Sequence, residues 1–392
     1  MDRKKIKIVR IINRFNLGGP TYNVTFLTRF LSDDFETVLI GGVHDEDEKD
    51  SIHILEEYGI KPIIIPEMKR APSLSMDRKA FKKIKEIIAI EKPDIVHTHA
   101  SKAGFLGRRA ALSCGVKTIV HTFHGHVFHS YFSKYKTQLI KRIERRLAKK
   151  STGIIAISDL QKKELVEDHK IAKADKVTVI PLGFDLKKFA LNKDSSRKKI
   201  RDEYNIKDDE VAIAIIGRLA PVKSHDYFLE VIEKLVEQTN RKIKVFIVGD
   251  GSEYLSISDR VDKINENHGN IIVMTSWILD IATFNHGMDI ICLTSKNEGT
   301  PVSLIEAQAA GKPVVSTDVG GVKDIVEDGV TGYVVKSDNI ETYVEKLRLL
   351  VENDRDRIIF GEKASFNVME RYHYTRLVAD MEKYYNQIVK TE

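Results

Sequence analysis

Asp289-Ile290-Ile291-Cys292-Leu293, followed by Asn297-Glu298-Gly299-Thr300-Pro301-Val302-Ser303-Leu304-Ile305-Glu306-Ala307, decides how this 392-residue chain is read. The first run is short and apolar, which predicts a buried strand. Ser303–Ala310 predicts a helix, with Thr300 as its N-cap and Pro301 in the first helical position, where no amide hydrogen is missed. A strand, a short Gly-containing loop and a helix in succession aim free backbone amides into the space above the strand, and such a helix start holds phosphate well. Glu298 and Glu306 bracket it. Taken singly, each would read as a solvated surface acid. Together, two carboxylates that each accept from neighbouring hydroxyls suit a ligand with hydroxyls at both ends and phosphate between, the layout of a nucleotide-sugar.

Strand-like runs alternate with longer amphipathic segments along the whole chain. The first half predicts strands near Ile6–Ile12, Glu36–Ile40, Pro62–Ile65, Ile95–His97, Thr118–His121, Gly153–Ile157 and Val177–Ile180. The second half predicts them near Val211–Ile216, Lys244–Val248, Ile271–Met274, Ile290–Leu293, Pro313–Ser316 and Gly332–Val335. Alternating β and α argues for parallel sheets covered on both faces. Two such series, split by the polar 187–207 stretch, predict an α/β protein of two doubly wound, Rossmann-like domains, 1–185 and 186–373.

Length and composition agree, since 392 residues are long for one core and the make-up is that of a soluble globular chain. No stretch reaches the roughly 18 apolar residues of a membrane span, and Met1–Lys5 runs into the first strand without a secretory pattern. Cys114 and Cys292 lie far apart in apolar or small-residue settings and read as buried thiols of a reducing, cytoplasmic compartment. Residues 1–185 carry 34 Lys and Arg against 23 Asp and Glu, whereas the remainder carries 29 against 34. The basic first half is expected to meet something anionic.

Ligands of doubly wound sheets bind beyond the carboxyl ends of the strands, and the unusual residues lie there. After the first strand come Gly18 and Gly19, whose loop allows close backbone approach, although it is not a dinucleotide fingerprint. His97-Thr98-His99 and the His121–His129 stretch hold six of the 13 histidines. A metal site is weighed against them, but there is no Cys partner and no paired-His helix motif. His124, on a strand-end loop, reads better as a group touching substrate hydroxyls. The stretch 133–150 then carries eight Lys or Arg against the single acid Glu144, with Leu139, Ile143 and Leu147 recurring every fourth residue. Lys141, Arg142, Arg145 and Arg146 belong to its cationic face. That face suits an anionic membrane, with an ordinary solvated face as the competing reading. Nucleic acid is not expected, for want of interleaved aromatics.

In the second half, Gly217-Arg218 and Lys223 follow a strand, where Arg can grip a diphosphate as a fork and Lys as a point charge. Gly249-Asp250-Gly251 ends the next strand. Trp277-Ile278 ends another, the Trp being either a core residue or a surface against which a nucleobase lies.

The ordered set of these stretches resembles the retaining glycosyltransferases of family 4, with the GT-B fold. It rests on Gly18-Gly19, Phe123-His124, Val179–Asp185, Gly217-Arg218…Lys223, Gly249-Asp250-Gly251, Glu298…Glu306, Ala310–Val315 and Gly320-Gly321. The resemblance implies that Arg218 and Lys223 hold the donor diphosphate, that Glu306 accepts the ribose hydroxyls, and that Glu298 meets the transferred sugar. It assigns His124 to the sugar near the reacting carbon, Trp277 and Ile278 to the base, and the amides of Gly299, Thr300 and Val302 to phosphate and sugar. Gly18 and Gly19 would close over the donor, and a final helix from about 374 to 392 would return to the first domain. No metal or other cofactor is expected. UDP-sugar is favoured over GDP-sugar on family frequency. The acceptor is expected to be a glycan or lipid-linked saccharide of bacterial cell-surface polysaccharide synthesis, reached by a cytoplasmic enzyme on or near the membrane. The rival readings are a GT-B sugar-nucleotide epimerase and, further off, a metal-dependent hydrolase using His121–His129.

Overall fold

The apolar runs form two wholly parallel sheets in a computed structural model that describes residues 4–16, 18–44, 51–125 and 134–390. The chain divides into two units, Met1–Phe184 with His373–Glu392, and Asp185–Tyr372. The first unit holds β1 (Ile6–Arg14), β2 (Phe35–Gly42), β3 (Ile63–Ile64), β4 (Ile95–His99), β5 (Thr118–Thr122), β6 (Gly153–Ala156) and β7 (Val177–Val179), ordered β3-β2-β1-β4-β5-β6-β7. The second holds β8 (Glu210–Ile216), β9 (Lys242–Val248), β10 (Ile272–Thr275), β11 (Ile290–Leu293), β12 (Val314–Thr317) and β13 (Gly332–Val335), ordered β10-β9-β8-β11-β12-β13. In each unit the first strand sits between the second and a later one. The strand order therefore reverses beside β1 and beside β8, which opens a crevice at their carboxyl ends.

Helices on both faces explain why the strands read as near-continuous apolar runs. In the first unit, Val9, Ile11, Val96 and Ile119 pack under helices Leu74–Glu91 and Ser101–Ser113 on one face. Ile8, Val120 and Ile155 pack on the other against Leu377, Met381 and Tyr385 of the last helix, Tyr374–Lys390. That helix thus finishes the core of the first unit. Its entry is fixed by the Tyr374 amide donating to the Phe184 carbonyl at 3.0 Å and by Arg376 donating to the carbonyls of Pro181 and Leu182. In the second unit, Ile213, Ile215, Val245 and Ile290 share a core with Phe228, Ile232, Tyr343 and Leu347.

Three local expectations are corrected. β4 runs on to His99, because His99 keeps pairing with Thr122 and Ile12 although its side chain is polar. The helix after β11 is Val302–Ala309, with Pro301 in extended backbone as its N-cap and no side-chain cap from Thr300. The Pro301 carbonyl instead receives the Leu304 amide at 3.1 Å. Cys292 is buried as expected, but Cys114 is only half-buried. Ser133, His126 and His129 lie outside the described residues.

Candidate active site

The second unit gathers most of the candidate residues at the carboxyl ends of β8, β9, β11 and β12. The loop after β8 holds Gly217, Arg218 and Lys223. It is stitched to the loop after β11 by the Lys296 amide on the Val222 carbonyl at 2.8 Å and by Thr294 Oγ1 on the Lys223 carbonyl at 3.1 Å. Lys223 Nζ reaches Glu298 Oε1 at 2.6 Å, and Ser295 Oγ donates to the same oxygen at 2.6 Å. Glu298 is therefore no loose surface acid: its side chain is only 10 % exposed. Arg218 is exposed and makes no side-chain hydrogen bond or ion pair with a described residue. The loop after β8 thus carries an uncommitted guanidinium and a lysine paired with a carboxylate of the loop after β11.

Two glycines make these loops possible. Gly249 has φ +144° and lies so close to the loop after β8 that a Cβ there would stand 2.0 Å from the Gly217 carbonyl oxygen. Gly320, at φ +52°, would place a Cβ 1.7 Å from the Glu298 carbonyl oxygen. Any side chain at either position would push apart the backbone that carries Arg218 or Glu298.

Glu306 lies on helix Val302–Ala309, half-buried, with Gly299, Thr300 and Val302 on the approach to it. Burial pushes its carboxyl up to about 7, opposed by the nearby Lys188 ammonium. Trp277 is 39 % exposed, which excludes the core reading; Ile278 beside it is half-buried.

The first unit supplies a separate polar cluster. Gly18 precedes helix Gly19–Arg29, whose first turn follows β1. His124, just beyond β5, faces His99 at the end of β4, with Nε2 2.9 Å from His99 Nδ1. Burial lowers the His124 imidazole to about 3, and His99, with His97 and the Arg10 guanidinium as further causes, is lowered well below its ordinary value. Burial thus disfavours the charged form of both rings. Among the described residues no three His, Cys, Asp or Glu side chains converge as metal ligands.

The basic stretch forms helix Lys134–Lys150. Arg142 and Arg146 are exposed, whereas Lys141 and Arg145 are partly buried. Arg145 is spent on the carbonyls of His169 and Lys170. Glu144 is not on the surface: it is buried and paired with Arg108. Sequence reading missed Ser295 and Lys188 as partners of the site, and it singled out His99 only among the clustered histidines weighed against a metal. A lone serine or lysine carries no signal until the chain folds it against a carboxylate.

The family described as Glycosyltransferase Family 4 matches residues 18–188, and that described as Glycosyl transferases group 1 matches residues 196–365. The chain is 31 % identical over 324 residues to an Escherichia coli UDP-Gal:alpha-D-GlcNAc-diphosphoundecaprenol alpha-1,3-galactosyltransferase, covering 80 % of this chain and 81 % of that one. It is 26 % identical to the Staphylococcus aureus capsular polysaccharide biosynthesis glycosyltransferase CapM, over 86 % of this chain and 88 % of that one. In fold it is similar to Anabaena Alr3699/HepE, solved in complex with UDP, with a TM-score of 0.80 at 18 % identity over 97 % of this chain and 100 % of that one. The chain belongs to the family 4, group 1 glycosyltransferases of GT-B fold, and is a glycosyltransferase.

Proposed function

We propose that the chain moves a sugar from a UDP-sugar to a lipid-linked glycan carrier, with retention at the anomeric carbon. The observation that carries the reading is the Lys223–Glu298–Ser295 cluster beside the exposed Arg218. A diphosphate placed over the loop after β8 would meet Arg218 and Lys223. It would draw the ammonium away from Glu298, freeing a carboxylate already aimed by Ser295 for hydroxyls of the transferred sugar. The same two cations would stabilise the charge that builds on the leaving diphosphate as the anomeric C–O bond breaks, without reorganising at the moment of reaction. Glu306, four residues into the helix, would accept the ribose hydroxyls. Trp277 would lie against the base. His124, neutral, would meet a sugar hydroxyl as a hydrogen-bonding group and not as a titrating acid.

UDP is favoured because the E. coli relative is named for UDP-Gal and the Anabaena neighbour was solved with UDP. A polyprenyl-diphosphate acceptor is favoured because that relative acts on a diphosphoundecaprenol, and because helix Lys134–Lys150 exposes Tyr135 and Leu139 beside its cationic residues. Apolar side chains flanked by exposed cations suit the surface of an anionic membrane.

The test is a thermal-shift and calorimetric screen against UDP-, GDP- and ADP-sugars, with and without EDTA. Selective stabilisation by UDP-sugars, indifferent to EDTA, is the expected result. Selectivity for another base would overturn the UDP reading, and stabilisation abolished by EDTA would overturn metal-free donor binding.

A further inference from the structure

Beneath His124 the first unit buries a chain of polar side chains that no part of the donor reading uses. Arg10, on β1, is fully buried. Its Nη1 donates to Tyr385 Oη at 3.1 Å and lies 3.3 Å from His97 Nδ1, and its Nη2 donates to the Leu27 carbonyl at 3.4 Å. A guanidinium has only donors, and this fixes the direction of everything downstream. Tyr385 Oη accepts from Arg10 and donates to His97 Nδ1 at 2.5 Å. His97 must then carry its proton on Nε2, and donates it to Thr122 Oγ1 at 2.7 Å.

His99 sits two residues along β4, on the same face as His97 because side chains alternate along a strand. The two rings are 4.1 Å apart, so His99 rests on a ring that cannot turn. His99 Nδ1 in turn meets His124 Nε2 at 2.9 Å, with the rings stacked at 5.1 Å. Ala100, the next residue, holds φ +65° without being a glycine. Its amide is tied to the Thr122 carbonyl at 3.3 Å and its carbonyl takes the Gly104 amide at 2.8 Å. A left-handed backbone on a residue with a Cβ persists only where its surroundings over-determine it. Here it marks the turn that presents His99 to His124.

Two buried nitrogens of the pair, His99 Nε2 and His124 Nδ1, have no hydrogen-bond partner among the described residues. Buried polar atoms of this kind call for a ligand group or an ordered water. We propose that His99 is a positioning residue: it holds the His124 ring by the Nδ1–Nε2 hydrogen bond and leaves His124 Nδ1 aimed at a hydroxyl of the sugar. The pair shares one proton in that bond. If His99 donates, His124 offers Nδ1–H to the hydroxyl oxygen; if His124 donates, its bare Nδ1 accepts the hydroxyl proton. A sugar hydroxyl can satisfy either form, so the pair adapts to it without taking on charge. The inference rests on the placement of His124 against the sugar proposed above.

The experiment combines His99→Phe, His99→Gln and His124→Ala, read by release of UDP from UDP-galactose and UDP-glucose and by ring 15N resonances of His124. His99→Phe keeps a flat ring but removes both nitrogens. It should lower kcat on the order of tenfold to 100-fold with little change in KM, and shift the His124 ring resonances. His99→Gln, which can still donate or accept, should recover most of the rate. In the His124→Ala background, His99→Phe should cost nothing further. An additive loss in that background, or unchanged His124 resonances in His99→Phe, would overturn the positioning role. Full activity in His124→Ala alone would overturn the contact of His124 with the sugar, while the resonances would still report on whether His99 holds the ring.

Discussion

Lys223 Nζ and Glu298 Oε1 stand 2.6 Å apart in the second unit, with Ser295 Oγ on the same oxygen. The pair joins the loop after β8 to the loop after β11, so it has both a structural and a chemical consequence. Lys223→Ala leaves a carboxylate that is 10 % exposed with only the serine hydroxyl to meet it. Arg218→Ala removes an exposed side chain and leaves nothing unpaired. Both substitutions should lower the transfer rate by about 10²–10³, as for removal of a preorganised group that meets leaving-group charge. Only Lys223→Ala should also lower the melting temperature. Steady-state rates beside thermal unfolding of both variants check this. A Lys223→Ala enzyme with wild-type turnover would remove it from the diphosphate.

If Glu306 accepts the ribose hydroxyls as proposed, nucleotide binding should depend on pH. Its carboxyl sits at about 7, above the ordinary carboxylate value, because burial penalises the ionised form. Below that value it is protonated and can no longer accept from two hydroxyls as an anion. UDP affinity should therefore weaken by up to about tenfold between pH 8 and pH 6, one unit on either side of the midpoint. The dependence should vanish in Glu306→Gln. The linkage has the opposite sign for stability. A carboxyl raised in the folded state binds protons more readily there than in the unfolded chain, so its ionisation costs stability as pH rises from about 4.5 to 7. Glu306→Gln should accordingly bind UDP more weakly at pH 8 and yet melt higher without ligand. Calorimetry and thermal scans at the two pH values test both halves.

Arg108 and Glu144 pair at 2.5 Å with side chains 0 % and 4 % exposed, joining helix Ser101–Ser113 to helix Lys134–Lys150. Glu144→Ala leaves the guanidinium buried and uncompensated, at a cost of about 3–5 kcal/mol. The double change Arg108→Met with Glu144→Ala removes both charges and should recover much of that loss. Denaturant unfolding of the two variants decides it. Equal stabilities would mean that the pair contributes nothing beyond its volume.

The alternation of apolar runs, read without any side-chain geometry, led to all of the strands named above, because a strand buried on both faces leaves few polar positions to confuse it. Ends were harder. The apolar run predicts β4 over Ile95–His97, yet the backbone continues its ladder to His99. In the candidate site, Glu298, Glu306, Lys223 and Arg218 could be picked out by their places after strands and around a helix start. Their partners could not. Ser295 and Lys188 gain meaning only through long-range packing, and the Arg10–Tyr385–His97 chain joins residues up to 375 positions apart. The basic stretch shows the same limit from the other side. Nothing in the sequence sets its one acid, Glu144, apart from the cationic residues around it, but the fold takes it inside.

That burial sharpens the last expectation, concerning helix Lys134–Lys150. With Glu144 withdrawn and Arg145 committed to the carbonyls of His169 and Lys170, the exposed cations among the described side chains are Lys136, Arg142, Arg146, Lys149 and Lys150. Near an anionic surface each contributes about 1 kcal/mol. Replacing Arg142, Arg146, Lys149 and Lys150 by Gln should lower binding to phosphatidylglycerol-containing vesicles by more than about 100-fold at low salt, leave UDP affinity unchanged and keep the melting temperature. Adding 0.5 M salt to the unmodified protein should do much the same, because charges on a surface are screened over about 10 Å or less. Tyr135 and Leu139 are exposed, and in a membrane contact they would act by burial in the interface, so Tyr135→Ser with Leu139→Ser should weaken binding to the same vesicles in a salt-independent way. Vesicle co-sedimentation of the three conditions separates the contributions. Binding that survives the loss of all four cations would make the helix a solvated face and send the search for a membrane contact elsewhere in the chain.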